Sequence, residues 1–181
     1  MTQRATAVAH PNIALVKYWG KRDAAMNLPA TGSLSMTLDV FPTTTTVTVD
    51  ASLETDALEL DGTERTGTPL ERVTRFLDLV RELAGSDEHA RIETTNAVPT
   101  GAGLASSASG FAALAVAASA AYGLDLSPRE LSRLARRGSG SASRSIVSGV
   151  AVWHAGDGDE TSFAEPTPAP DMAMVIATVE E

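Results

Sequence analysis

The sequence predicts an α+β fold: a mixed sheet with helices packed against one face, followed by the first strand of a second α+β unit. Three observations carry this. Short β-branched runs are bounded by turn residues. Two helices carry clear start and stop punctuation. A third apolar helix, built almost wholly from small residues, has to be central and tightly packed.

In chain order, "TTTTVTVD" (Thr43–Asp50) is β-branched and ends in alternation, so it reads as a strand. "ALELDG" (Ala57–Gly62) adds a short strand and a turn. In "TPLERVTRFLDLVRELAG", Thr68 is placed as N-cap, Pro69 as the first helical residue and Glu71 as the partner in a capping box. Leu70, Val73, Leu77, Val80 and Ala84 form its apolar stripe, and Gly85 stops it. "ARIETT" (Ala90–Thr95) reads as a strand, and the helix after it runs from about Leu104 to Tyr122. Ser127 and Glu130 form a second capping box, opening "SPRELSRLARRG". "IVSGVAVW" reads as a strand. Asp157–Asp171, rich in turn residues and proline, reads as an interdomain crossing, and "MAMVIATVEE" as one more strand. The expected division is a domain over 1–165, then linker and the start of a second domain over 166–181. A terminal apolar strand needs a sheet to join, so the chain is expected to be part of a longer enzyme or to need a partner for its other half.

Composition narrows the function. The 181 residues are 43% hydrophobic and 20% charged, as in a globular protein. A net charge of −9 argues against general nucleic-acid binding, and requires that any anionic substrate be drawn by a local group of Lys and Arg. With no cysteine there are no disulfides and no thiolate sites, which fits a cytoplasmic protein. Three scattered histidines make a histidine-rich metal site improbable. His10-Pro11-Asn12 interrupts the only candidate signal segment, and "ASGFAALAVAASAAYGL" is too rich in Ala and Ser for a membrane span, so no membrane role is expected.

Three stretches can carry chemistry. "NAVPTGAGLASSASG" (Asn96–Gly110) places small residues at a helix start, where uncovered N–H groups attract anions. "GAGLAS" nearly matches the dinucleotide pattern but ends in serine and stands five residues from the strand; it also lacks the Walker ending. A tight turn before a packed helix accounts for the loop alone equally well. Ser106 and Ser107 in the first turn add hydroxyls suited to phosphate oxygens or a bridging Mg²⁺. In "NIALVKYWGKRD" (Asn12–Asp23), Tyr18 and Trp19 suit core or rim packing as well as a pocket, and Lys17, Lys21 and Arg22 suit a solvated surface. "GSGSASRS" (Gly138–Ser145) reads either as a flexible loop or as a setting that leaves the Arg144 guanidinium open to a carboxylate.

Together these stretches resemble the diphosphomevalonate decarboxylases of the GHMP kinase superfamily. Pro99 through Ala108 satisfies the superfamily loop P-x-x-x-G-L-x-S-S-A at every fixed position, and "NIALVKYWGKRD" and "RLARRGSGSASRS" are similar to the decarboxylase branch. The similarity covers about residues 8–181, the N-terminal half of such an enzyme. It implies the superfamily's N-terminal fold, whose topology resembles a ribosomal-protein domain, and ATP-dependent decarboxylation of (R)-5-diphosphomevalonate to isopentenyl diphosphate, ADP, phosphate and CO₂. Tyr18, Trp19, Gly20 and Lys21 would line the substrate pocket, with Lys21 neutralising its anionic groups. Arg72 would lie near the diphosphate, with a charged helix face as the alternative. Ser139, Gly140, Ser141, Ala142, Ser143 and Arg144 would hold the substrate, Arg144 on its C1 carboxylate. Pro99, Gly101, Ala102, Gly103, Leu104, Ala105, Ser106 and Ser107 would wrap the ATP phosphates, Ser107 meeting Mg²⁺. The family's presumed base is an aspartate of the C-terminal half, and no aspartate here matches its motif, so the 181-residue chain alone is expected to show little turnover. A homodimer is implied for the full-length enzyme. The alternatives are a phosphomevalonate decarboxylase, a mevalonate 3-kinase, an inactive nucleotide-binding fragment and, against the charge, an RNA-binding domain.

Overall fold

The computed structural model describes residues 3–97 and 106–175. Strands β1 (Gln3–Ala9), β2 (Asn12–Val16), β3 (Lys21–Asp23), β4 (Leu28–Pro29), β5 (Ser33–Thr37), β6 (Thr43–Val49), β7 (Ala57–Leu60) and β8 (Thr63–Arg65) precede helix α1 (Thr68–Ala84). Then come β9 (Ala90–Asn96), α2 (Ser106–Ala121), α3 (Pro128–Gly138), the short α4 (Ala142–Ser145), β10 (Val150–Trp153) and β11 (Ala164–Pro166).

The expected mixed sheet is present, with strand order β1-β6-β9-β7-β8; β7 runs parallel to β9 and the other pairs are antiparallel. β6 alternates buried and half-buried residues along its length, as a strand with one covered face must. Ala7, Ala9, Val47, Val49, Leu58 and Ile92 of this sheet form one core with Phe76, Leu77 and Val80 of α1 and the alanines of α2. Leu77 and Val80 are fully buried, each contributing about 1.5–3 kcal/mol of apolar transfer. Alanine is what lets α2 sit this close to the sheet, and Thr43 Oγ1 donates to Ser109 Oγ of α2 at 2.7 Å. Asp56 and Arg81 pin α1 to the sheet through a buried two-pronged pair, at 3.0 and 3.1 Å.

A second, four-stranded sheet in the order β11-β10-β5-β2 was not separated by the sequence reading. Ala151, Trp153 and Ala164 are buried apolar residues of this sheet, and α4 lies against it.

The expected start of α2 at Leu104 lies outside the described residues; the described helix boundaries agree with the expected ones, with one correction at the start of α1. Gly67, at φ 63°, is the N-cap there; no side chain caps the helix, and the Glu71 N–H donates to the Gly67 carbonyl at 2.9 Å. Thr68 is therefore already helical. The Ser127–Glu130 box forms fully, and Gly85 ends α1 in the left-handed region. Part of the presumed crossing is built into the domain: β11 pairs with β10, and Asp159, on a 3₁₀ turn (Asp159–Thr161), binds Arg133 and Arg136 of α3. Of the expected strand from Ile146, only Val150–Trp153 forms one. Met172–Val175 carries no strand, and the rest of the expected terminal strand lies outside the described residues.

Candidate active site

The Gly/Ser stretch before β10 is a folded unit, correcting the flexible-loop reading. After α3 the chain closes directly into α4, whose four residues are all buried. Small side chains permit this, and hydroxyls replace bulk as the glue. Ser143 Oγ donates to the Gly140 carbonyl at 2.8 Å, and Ser132 Oγ to the Ser143 carbonyl at 3.0 Å. Ala142 and Ser143 point inward with no exposed surface.

Arg144 is buried too, at 3% exposure, so its guanidinium is not open in the way its small neighbours suggested. The reason is a set of neutral acceptors that the sequence reading missed. Asn12 Oδ1 accepts from Nε at 3.2 Å and from Nη2 at 3.1 Å, and Ser33 Oγ accepts from Nη1 at 2.6 Å. No carboxylate pairs with Arg144 among the described residues. Burial pushes its pKa below the ordinary arginine value, though a guanidinium keeps its proton. The result is a fixed, largely uncompensated cation.

Aromatic rings complete its surroundings. The guanidinium carbon lies 5.6 Å from the Trp153 ring centroid and 5.9 Å from that of Tyr18, and these two rings meet edge to face at 5.0 Å. Gly140 runs beside both: a Cβ there would stand 3.2 Å from Trp153 Cη2 and 3.2 Å from Tyr18 Oη. Tyr18, Gly140 and Arg144 are thus brought together, and Asn12, Ser33 and Trp153 join them. Ser141 contributes its carbonyl, which accepts from Asn12 Nδ2 at 3.0 Å, and Ser139 ends α3 by donating its N–H to the Ala135 carbonyl.

Gly20, at φ 73°, makes the bend into β3, and Trp19 beside it is 77% exposed, unlike its neighbour Tyr18. Lys21 is exposed and oriented: Nζ donates to Asn27 Oδ1 at 2.7 Å, while Asn27 Nδ2 donates to the carbonyls of Arg136 and Arg137 at 3.1 and 2.9 Å. Asn27 was also missed. Its backbone is left-handed (φ 51°), a conformation asparagine adopts more readily than most residues.

Of the predicted nucleotide loop, Pro99 and Gly101 to Ala105 lie outside the described residues; Ser106 opens α2, and Ser107 is exposed in its first turn. Ser107 and Arg72 both line a cavity of about 200 Å³ between α1, α2 and the edge formed by β7 and β9. Phe111 and Arg72 separate it from a second cavity of about 340 Å³, and the Arg72 guanidinium stands 5.3 Å from the Phe111 ring centroid. Among the described residues no group of His, Cys, Asp and Glu suits a metal ion, and no helix is long and apolar enough to cross a membrane.

The family described as diphosphomevalonate decarboxylase-like N-terminal domain matches residues 9–164. Diphosphomevalonate decarboxylase from Aspergillus fumigatus is 43% identical over 197 residues, covering 97% of this chain and 49% of that protein. Phosphomevalonate decarboxylase from Haloferax volcanii is 41% identical over 162 residues, covering 90% of this chain and 50% of that one. A solved structure of mevalonate diphosphate decarboxylase from Enterococcus faecalis, described for its mevalonate diphosphate-mediated ATP binding, is 54% identical with a TM-score of 0.90, covering 93% of this chain and 52% of that one. Another, 54% identical with a TM-score of 0.89 and covering 93% and 52%, holds MVAPP, AMPPCP and magnesium. The chain spans about half the length of the curated relatives it matches. A family match across most of the described domain, on a fold that superposes this closely, leaves one assignment: the chain belongs to the family of diphosphomevalonate decarboxylase-like N-terminal domains.

Proposed function

We propose that this domain serves the ATP-dependent decarboxylation of (R)-5-diphosphomevalonate to isopentenyl diphosphate, ADP, phosphate and CO₂, as the N-terminal part of the enzyme. The observation that carries the reading is Arg144: a buried cation held by Asn12 and Ser33, two neutral partners, beside Tyr18. A purely structural buried arginine is normally paired with a carboxylate, as Arg81 is with Asp56. One left unneutralised is suited to an incoming carboxylate.

The chemistry follows from that placement. The tertiary C3 hydroxyl leaves poorly as such and well as a phosphate ester. When the C3–O bond breaks, its electron pair departs with the phosphate. The C1–C2 pair then closes the C2=C3 bond as CO₂ leaves. Arg144 holds the C1 carboxylate so that this pair is aligned with C3, and Lys21 and Arg72 balance the phosphate charge. Tyr18, Gly140, Ser139 and Ser141 shape the pocket; Ala142 and Ser143, being inward, hold the backbone that does so. The cavity beside Ser107 receives the nucleotide, with the loop from Pro99 wrapping its phosphates. Mg²⁺ at the Ser107 hydroxyl would screen the phosphate charge. The first-turn position of this exposed hydroxyl, next to a cavity, fits that ion.

In the same reading, residues 1–165 form the domain and 166–181 lead to a second one that supplies the base. The full enzyme is a cytoplasmic homodimer, and the 181-residue chain alone is inactive. Support for a second domain is the half-length coverage of the relatives. The test is to measure CO₂ and ADP released from (R)-5-diphosphomevalonate by the full natural chain. Equal amounts are expected, with a loss of at least about a hundredfold in kcat for Arg144→Gln. ADP without CO₂ would make it a kinase. The Haloferax relative favours a second reading, with the 5-monophosphate as substrate.

A further inference from the structure

Lysine is rare in this chain: Lys17 and Lys21 are its two examples, against twelve arginines. Lys21 is exposed, yet its ammonium is held by Asn27 Oδ1 at 2.7 Å, and it forms no ion pair among the described residues. Asn27 stands in the turn between β3 and β4. There Met26 donates its N–H to Asp23 Oδ1 at 2.9 Å, and Arg136 Nε donates to the Met26 carbonyl at 3.0 Å. The amide nitrogen of Asn27 donates to the Arg136 and Arg137 carbonyls, in the last turn of α3. Carbonyls at that end of a helix have no partner further along it.

The residue type is set by both tasks together. Capping alone would suit a lysine or arginine, which also favours the negative end of a helix. Holding Lys21 alone would suit an aspartate. An amide offers a donor to the carbonyls and an acceptor to the ammonium at once, and it carries no charge to cancel that of Lys21. Asn12 divides its labour in the same way, with Oδ1 facing Arg144 and Nδ2 donating to the Ser141 carbonyl. Both cations are therefore registered, each through a neutral asparagine, on one stretch of backbone from Arg136 to Ser141. That stretch sets how far apart they stand.

We propose that Asn27 is a positioning residue: it fixes the Lys21 ammonium, charge intact, at a set separation from Arg144, so that one substrate meets both cations in place. The proposal rests on the reading of Lys21 and Arg144 as substrate groups given above. A lysine on a free stem loses rotamer freedom when it binds, and one already held does not. With one N–H on Asn27, Lys21 keeps two for the ligand.

The test is a double-mutant cycle on the full natural chain. Calorimetry reads (R)-5-diphosphomevalonate binding to wild type, Asn27→Gly, Lys21→Met and the double variant. Glycine is chosen because it keeps the left-handed backbone. Asn27→Gly is expected to weaken binding about 3- to 10-fold where Lys21 is present, and less than about twofold in the Lys21→Met background. An equal loss in both backgrounds, or no loss with Lys21 present, overturns the proposal, since a merely structural asparagine acts without the lysine. Should Asn27→Gly not fold, Asn27→Ser, whose side chain cannot span both partners, replaces it in the cycle. If wild type does not bind the ester, or Lys21→Met binds as tightly as wild type, the substrate reading itself has failed, and amine labelling decides the hold separately. Acetic anhydride labelling of Lys21 relative to Lys17, mapped by peptide mass spectrometry, is expected to rise at least about threefold in Asn27→Gly. An unchanged ratio overturns the hold.

Discussion

Asn12 Oδ1 accepts two hydrogen bonds from Arg144, at 3.2 and 3.1 Å, while its amide nitrogen donates to the Ser141 carbonyl and to Ser145 Oγ at 3.0 and 2.8 Å. One neutral side chain thus positions the cation and ties down the backbone around it without cancelling its charge. Asn12→Asp keeps the shape and puts a carboxylate against the guanidinium. Substrate affinity is expected to fall at least about tenfold by calorimetry, because the incoming carboxylate then competes with a fixed one. Unchanged affinity would show that Arg144 does not hold an anion.

Gly140 touches both rings that border the cation. Gly140→Ala places a methyl group 3.2 Å from Trp153 Cη2 and from Tyr18 Oη. Trp153 is fully buried and cannot yield, so Tyr18 has to move. The expected result is a rise in KM of about tenfold and a loss of about 1–3 kcal/mol in stability by urea unfolding.

The two helix starts that looked alike in sequence should respond differently. Ser127→Ala removes a formed capping box and is expected to cost about 1 kcal/mol. Thr68→Ala removes no cap hydrogen bond and is expected to stay within about 0.5 kcal/mol. Urea midpoints of the two variants check this directly.

Acid should loosen the contact between α3 and the 3₁₀ turn. Burial alone would raise the Asp159 carboxyl, but hydrogen bonds and charge from Arg133 and Arg136 outweigh it and hold the group below the usual carboxylate range. A lowered native pKa stabilises the fold above the unfolded value, about 3.9, and that contribution is lost as pH falls through the native one. Asp159→Asn is therefore expected to be less stable than wild type at pH 7, with the gap closing toward pH 3. A gap independent of pH would contradict this.

What the sequence made legible was local. α3 was readable because Ser127, Pro128 and Glu130 are adjacent and sufficient for a cap. At α1 the same signature misled, since Gly67 reached a left-handed cap that no other residue type adopts as easily. β1, β2 and β5 gave little signal: "NIALV" and "SLSMT" are neither strongly β-branched nor cleanly alternating, and β5 is a strand because β2 and β10 flank it. In the site, Tyr18, Lys21 and Arg144 stood out by type and motif. Asn12, Asn27 and Ser33 did not, because their roles are hydrogen bonds across more than a hundred residues or to a backbone carbonyl. The burial of Arg144 was hidden for the same reason: small neighbours in sequence say nothing of what packs on them from elsewhere.

Arg144 enters the chain 132 positions after the asparagine that receives it. During synthesis the strands β1, β6 and β9 are complete long before that arginine leaves the ribosome, so the first sheet has all its antiparallel partners while β2 and β5 still lack β10. Nascent chains stopped before Arg144 therefore carry an open edge on β5 and lack the guanidinium that Asn12 and Ser33 receive. A carboxylate of the kind proposed for Arg144 cannot stabilise such an intermediate, because the guanidinium that would hold it is not yet made.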